Sequence, residues 1–140
     1  MITKAIQKAF DIAKERGWEK TFWAFDIHDT MIKPNYKFGD IPTEFFPLAK
    51  EVMQEISKRD DICLIMYTCS HPHEIEQYIE LFKENGINFD HINKNPEVKS
   101  EGYGYYEDKF YFNVLFEDKT GFDATEDWEK VQKVLAENPI

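Results

Sequence analysis

The chain has 140 residues, of which 42% are hydrophobic and 16% aromatic, so it can bury one core and is too apolar for disorder. Its 27 acidic and 17 basic residues give a formal net charge of −10, which argues against non-specific nucleic-acid binding. No apolar run is long enough to span a membrane, and no secretory segment is recognised at the start of the sequence, so we expect no membrane partner. Two cysteines make no disulfide framework, which favours a cytoplasmic protein. The length predicts a single domain over residues 1–140.

Helical and strand patterns alternate along the chain. Helices are predicted where apolar residues recur every three or four positions, and strands where apolar residues run continuously. Strands that alternate with helices favour parallel pairing, so the predicted fold class is α/β: a three-layer α/β/α sandwich with a parallel, Rossmann-like sheet. In chain order we predict a helix ending at Gly17, a strand over 21–25, a loop over 31–42, a helix capped by Thr43, a strand over 62–67, a helix opened by Pro72, a strand over 89–92, a polar loop over 93–108, a strand over 110–116 and a helix from about Thr125.

Polar side chains follow the predicted strands where each strand ends. Asp26 follows the first strand, Thr68 the second, and Glu117 and Asp118 the fourth, with Asp123 five residues later. The carboxyl ends of parallel strands meet at one edge of the sheet, where ligands bind in such folds. Carboxylates crowded at that edge repel one another unless a cation lies between them, and oxygen ligands favour Mg²⁺ over zinc. The sequence therefore predicts a Mg²⁺ site.

These motifs resemble those of the haloacid dehalogenase (HAD) superfamily. Residues 26–30 read Asp-x-His-x-Thr, similar to the first motif, which is Asp-x-Asp-x-Thr in the phosphatases of that superfamily. Thr68, at the end of an apolar strand, matches the second motif, and the Glu-Asp-x4-Asp of residues 117–123 is similar to the fourth. The resemblance extends from about residue 20 to the last helix. It implies a HAD-like fold and a Mg²⁺-dependent phosphomonoester hydrolase.

The resemblance implies a role for each matching residue. Asp26 would be the nucleophile and would take the phosphoryl group as an aspartyl-phosphate. Thr68 would hydrogen-bond a phosphate oxygen. The lysine of the third motif is Lys94, which follows the third strand, or else Lys99.

The same resemblance supplies the metal ligands. One oxygen of Asp26, the backbone carbonyl of His28 and the carboxylate of Asp118 would hold Mg²⁺, with Glu117 and Asp123 as further candidates. Asp123 has a second interpretation that is equally good, as the cap of the last helix.

His28 departs from the pattern of the superfamily. Its phosphatases usually place a second Asp at this position, as the general acid and base. A histidine can exchange a proton near neutral pH and can serve the same role. The alternative is a catalytically impaired HAD-like binding or regulatory domain, in which His28 marks the loss of turnover.

No cap domain is predicted, because only about a dozen residues separate Thr30 from the next helix. A site without a cap is open, which suits a large phosphorylated substrate whose class the sequence does not define. The alternative is that a neighbouring subunit closes the site in a homo-oligomer. A zinc site is a further alternative, formed by Cys69, His71 and His73 near the second strand together with His28, but Cys-x-His-x-His matches no structural zinc pattern.

Overall fold

The computed structural model describes residues 1–37, 39–102 and 104–140. No helix in these ranges is both long and apolar enough to cross a membrane. In chain order the elements are α1 (Ile2–Arg16), β1 (Thr21–Phe25), α2 (Ala49–Ser57), β2 (Ile62–Met66), α3 (Pro72–Glu84), β3 (His91–Ile92), β4 (Val114–Phe116), a 3₁₀ turn (Asp118–Thr120) and α4 (Asp127–Glu137).

The sheet has four strands in the order β3-β2-β1-β4, and every neighbouring pair is parallel. At the carboxyl end of β1, Phe25 pairs with Met66 of β2 on one side and with Phe116 of β4 on the other. The predicted α/β class, with a parallel, Rossmann-like sheet between two covering layers, is confirmed. The strand that leads to Asp26 lies in the interior of this sheet. The prediction of a single domain without a cap stays a prediction.

The two faces of the sheet are covered differently. Side chains alternate along each strand, and Trp23, Phe25 and Phe116 face the helices, in one core with residues of all four of them. On the opposite face, Phe22 and Cys63 pack under the connection between β3 and β4. In its described residues this connection contains no helix.

Several element boundaries differ from the predictions, and β3 begins at His91 instead of at residue 89. α2 begins at Ala49 instead of near Thr43, because the segment before it pairs with the loop that follows Asp26: the amide of Lys33 donates to the carbonyl of Glu44 and the amide of Phe46 to that of Met31. β4 is shorter than the predicted 110–116, because the aromatic residues 110–112 pack on the outer face of the sheet instead of joining the ladder. α4 begins at Asp127, two residues after the predicted start.

Trp128 of α4 contacts both β4 and the loop that follows β1. Its side chain is 1% exposed and stacks on Phe116, with the ring centroids 5.8 Å apart. Its indole N–H donates to the backbone carbonyl of Thr30 at 2.9 Å. One buried side chain therefore connects α4 to β4 and to the loop that carries the first motif.

We predict that Trp128→Phe lowers the free energy of unfolding by about 1–3 kcal/mol, because the buried carbonyl of Thr30 loses its donor while most of the aromatic packing remains. Urea denaturation measures this. Trp18→Phe is the control, since Trp18 is 38% exposed and its replacement should change stability by no more than about 0.5 kcal/mol. Equal losses in the two variants would contradict the role given to Trp128.

Candidate functional site

Three carboxylates meet at the carboxyl end of β1 and β4. Oxygens of Asp26, Glu117 and Asp118 all lie within 4.8 Å of one another. The parallel ladder continues one residue past β1, because the amide of Asp26 donates to the carbonyl of Phe116 at 2.9 Å. The carbonyl of Glu117 then accepts from the amide of Thr120, which turns the chain directly after Asp118. The convergence predicted for these three residues is present.

The electrostatics of this cluster are unfavourable without a counter-charge. The pKa of Asp26 is raised from 3.8 to about 6, first by burial and then by the negative charges of Glu117 and Asp118. Glu117 is itself only 9% exposed. Three carboxylate groups offer hard oxygen ligands, and a divalent cation would offset their repulsion. The donor set therefore fits Mg²⁺.

The loop after Asp26 is a compact turn around one carbonyl. The oxygen of Ile27 accepts from the amides of Met31 and Ile32 at 2.9 and 3.0 Å. Thr30, the last residue of the first motif, is fully buried, and its hydroxyl has no hydrogen-bond partner in the described part of the chain. The motif is thus held by its backbone.

His28 contacts α3. Its Nε2 lies 2.6 Å from the hydroxyl of Tyr78, and the two rings meet edge to face. Tyr78 is 1% exposed, and burial, with a smaller contribution from Glu74, raises its pKa to about 12. The Tyr78 hydroxyl therefore keeps its proton at neutral pH and fixes the imidazole on one side. The sequence indicated Tyr78 only as part of the apolar face of its helix.

Thr68 lies at the end of β2, where its backbone is tied to Asn93 after β3. The amide of Thr68 donates to Oδ1 of Asn93 at 2.9 Å, and Nδ2 of Asn93 donates to the carbonyl of Thr68 at 2.8 Å. The Thr68 hydroxyl donates to Ser70 at 3.0 Å and accepts from the amide of Ser70 at 3.1 Å. Asn93, which sequence analysis did not single out, connects the second and third strands at this edge.

The two candidate lysines line one cavity, formed by the segment that follows β3. Lys94 is exposed and directly follows Asn93, at the carboxyl edge of the sheet. Lys99 also lines a cavity with Trp18 and Lys20, which precede β1 at the opposite edge. Because Lys94 is the nearer of the two to the end of β3 along the chain, it stays the first candidate for the lysine of the third motif.

Asp123 is separate from the three clustered carboxylates. Its Oδ1 accepts from the amide and the hydroxyl of Thr125 at 3.0 and 2.6 Å, and these bonds lower the pKa of Asp123. Its carbonyl accepts from the amides of Glu126 and Asp127, and its own amide donates to the Asp127 carboxylate. In this structure Asp123 organises the turn before α4, with the side chains of Thr125 and Asp127 as its partners.

Comparisons with known proteins support the fold and leave the chemistry open. No protein-family model matches this chain, and no curated protein matches it. Among solved structures, a conserved protein from Bacteroides thetaiotaomicron is similar, with a TM-score of 0.64 and 19% sequence identity, over 86% of this chain and 93% of that chain. Similarity at this level of identity concerns the fold alone.

The raised pKa of Asp26 predicts how stability depends on pH. A carboxyl group whose pKa is higher in the folded than in the unfolded state binds its proton more tightly when folded. The stabilisation that the folded protein gains from the proton on Asp26 is therefore complete below the ordinary pKa of 3.8 and is lost as the pH rises to about 6. In the absence of divalent cations, we expect the melting temperature of Asp26→Asn to be close to that of the wild type near pH ~4 and higher than that of the wild type near pH ~7.

Thermal melts of both proteins in a chelating buffer check this expectation. Asp123→Asn is the control, because the pKa of Asp123 is lowered and its replacement should give no gain at neutral pH. A difference between Asp26→Asn and the wild type that does not change with pH would contradict the electrostatic account.

Proposed function

We propose that this protein is a Mg²⁺-dependent phosphomonoester hydrolase of the haloacid dehalogenase type. The observation that carries the proposal is the convergence of Asp26, Glu117 and Asp118 within 4.8 Å, at the end of the central strand of a parallel sheet. In the sequence, these residues resemble the first and fourth motifs of that superfamily.

The ligands of Mg²⁺ would be Asp26 and Asp118, with Glu117 and the backbone carbonyl of His28 as further candidates. The bound metal would reduce the repulsion between an anionic phosphate and the carboxylates. It would also favour the ionised form of Asp26, which burial and the neighbouring charges oppose in its absence.

The residues of the chain supply the covalent steps. The Asp26 carboxylate attacks phosphorus, the bond from phosphorus to the ester oxygen breaks, and an aspartyl-phosphate forms. His28 donates a proton to the leaving oxygen, so that an alcohol departs. Water then attacks the phosphorus of the intermediate and gives a proton to His28, and the release of inorganic phosphate regenerates the Asp26 carboxylate. Thr68 and Lys94 would bind the oxygens of the phosphoryl group.

A second function is a binding or regulatory domain without turnover. The observation that favours it is that two of the polar groups expected to act on the substrate, the imidazole of His28 and the hydroxyl of Thr68, already have partners. His28 contacts Tyr78, and the hydroxyl of Thr68 is bonded to Ser70. Such a protein would retain the phosphate and metal site and would hydrolyse no ester.

Hydrolysis of nitrophenyl phosphate by the purified protein tests the first function. We expect turnover that requires Mg²⁺, that stops in a chelating buffer, and that falls to the uncatalysed background in Asp26→Asn. Asp29→Asn is the control, because Asp29 has a φ of 59°, a conformation that asparagine adopts readily. Turnover that persists in Asp26→Asn would contradict the nucleophile.

The role of His28 is tested by comparing two classes of ester. An alkyl alcohol is a poor leaving group that needs a proton, whereas a nitrophenol leaves readily without one. We expect His28→Ala to slow an alkyl phosphate by about 10²–10⁴-fold and a nitrophenyl phosphate far less. His73→Ala, at an exposed position on α3, should change neither rate.

Two other outcomes would count against His28 as the acid. Equal slowing of both ester classes would mean that His28 only supports the shape of the site. A wild type that is inert on every ester, but gains activity on His28→Asp, would establish the second function.

A further inference from the structure

A second group of metal-ligating side chains lies on the sheet face opposite the helices. Sγ of Cys63, Nε2 of His91 and a carboxylate oxygen of Glu97 are all within 4.8 Å of one another. The same oxygen, Oε2 of Glu97, is 3.4 Å from the sulfur and 2.6 Å from the imidazole nitrogen. None of these residues belongs to the acidic cluster around Asp26.

Three separate elements hold the group in place. Cys63 is the second residue of β2 and is 2% exposed, and His91 lies on β3, where it pairs with Ile65. Glu97 is fixed through Asn95, which is 6% exposed. Oδ1 of Asn95 accepts from the amide of Glu97 at 3.1 Å, and its Nδ2 donates to the carbonyl of Tyr111 at 2.9 Å.

We propose that Cys63, His91 and Glu97 form a binding site for a zinc ion. A sulfur, an imidazole nitrogen and a carboxylate oxygen are the three donor types that proteins use for zinc, and three protein ligands leave a fourth position for water. Thiolate and imidazole favour zinc over Mg²⁺, so this site and the acidic cluster would select different metals. This proposal is independent of the proposed hydrolase function.

Lys20 completes the surroundings of the site. Its ammonium group forms an ion pair with Oε1 of Glu97, the oxygen that does not face Cys63 and His91. The pair therefore orients Glu97 with Oε2 directed at the other two ligands, as a neighbouring group often does for a metal-binding carboxylate. Binding would exchange the thiol proton of Cys63 for the ion and release that proton to water. Zinc with one thiolate and one carboxylate is neutral, and the positive charge of Lys20 is offset by the nearby Asp90.

Co²⁺ in place of zinc gives the most specific test, since sulfur bound to Co²⁺ produces a charge-transfer band in the near ultraviolet. The acidic cluster has no sulfur ligand and cannot produce this band. We expect one equivalent of Co²⁺ to give the band in the reduced full-length wild type, and zinc to abolish it by displacement. The band should be lost in Cys63→Ser and retained in Cys69→Ser, which replaces the exposed free cysteine.

Glu97→Gln and His91→Gln keep the test valid if Cys63→Ser does not fold. Each should weaken Co²⁺ binding by at least about 10-fold, since even the loss of a residue that only supports a metal ligand costs that much. Zinc should also raise the melting temperature of the wild type but not that of His91→Gln.

Three results would overturn the proposal. One is a wild type that shows no band, in which case Lys20, Glu97 and His91 serve only as ion pairs that hold the β3–β4 connection. Another is a band that persists in Cys63→Ser and disappears in Cys69→Ser, which would place the metal near His71 and His73. The third is Co²⁺ affinity that is unchanged in both Glu97→Gln and His91→Gln.

Discussion

The parallel pairing of β1 between β2 and β4 is the constraint on which the acidic site depends. Because Phe25 pairs with Phe116, the next residues along the two strands, Asp26 and Glu117, must emerge side by side. Aromatic packing under the sheet fixes this register: Phe25 stacks on Phe116 with the centroids 4.4 Å apart, and Phe116 stacks on Trp128. Burial of these rings offsets the electrostatic cost of carboxylates held together, a cost that appears in the raised pKa of Asp26. The core thus maintains a charge arrangement that the site would not adopt by itself.

The sequence was sufficient to predict the parts of the fold that follow from local pattern. Alternating helices and apolar strands predicted the parallel sheet, and the sheet in turn predicted that Asp26, Glu117 and Asp118 converge. Boundaries failed where a distant segment decides the local conformation. Thr43 has the local signals of a helix cap, but the pairing of residues 31–33 with 44–46 keeps that segment extended, and no pattern within either segment indicates it. The aromatic run at 110–112 is equally apolar in a strand and on the outer face of a sheet, so periodicity could not separate the two.

The parts of the sites that sequence analysis missed are side-chain pairs that are distant in the chain. Tyr78 is 50 positions from His28, and Asn93 is 25 from Thr68. A tyrosine in the apolar stripe of a helix looks like any core residue until the polar group facing its hydroxyl is known. Cys63 likewise reads as an apolar strand residue, and only the return of the chain through His91 and Glu97 gives it polar partners. The zinc ligands considered from sequence were His28 and the closely spaced Cys69, His71 and His73, because close spacing is the main signal that a sequence provides for such a site.

The contact between His28 and Tyr78 bears directly on the choice between a hydrolase and a binding domain. A general acid and base carries a proton in one step of the reaction and lacks it in another. A tyrosine hydroxyl can donate to a neutral imidazole and accept from a protonated one, and the raised pKa of Tyr78 ensures that this hydroxyl keeps its own proton. An ionised aspartate at position 28 could only accept from Tyr78, and its shorter side chain would not extend as far towards α3. The histidine and the tyrosine are therefore matched to each other in both length and hydrogen bonding. The pair is therefore compatible with His28 as a replacement for the usual aspartate, because the tyrosine hydroxyl holds the imidazole whether or not the imidazole carries a proton.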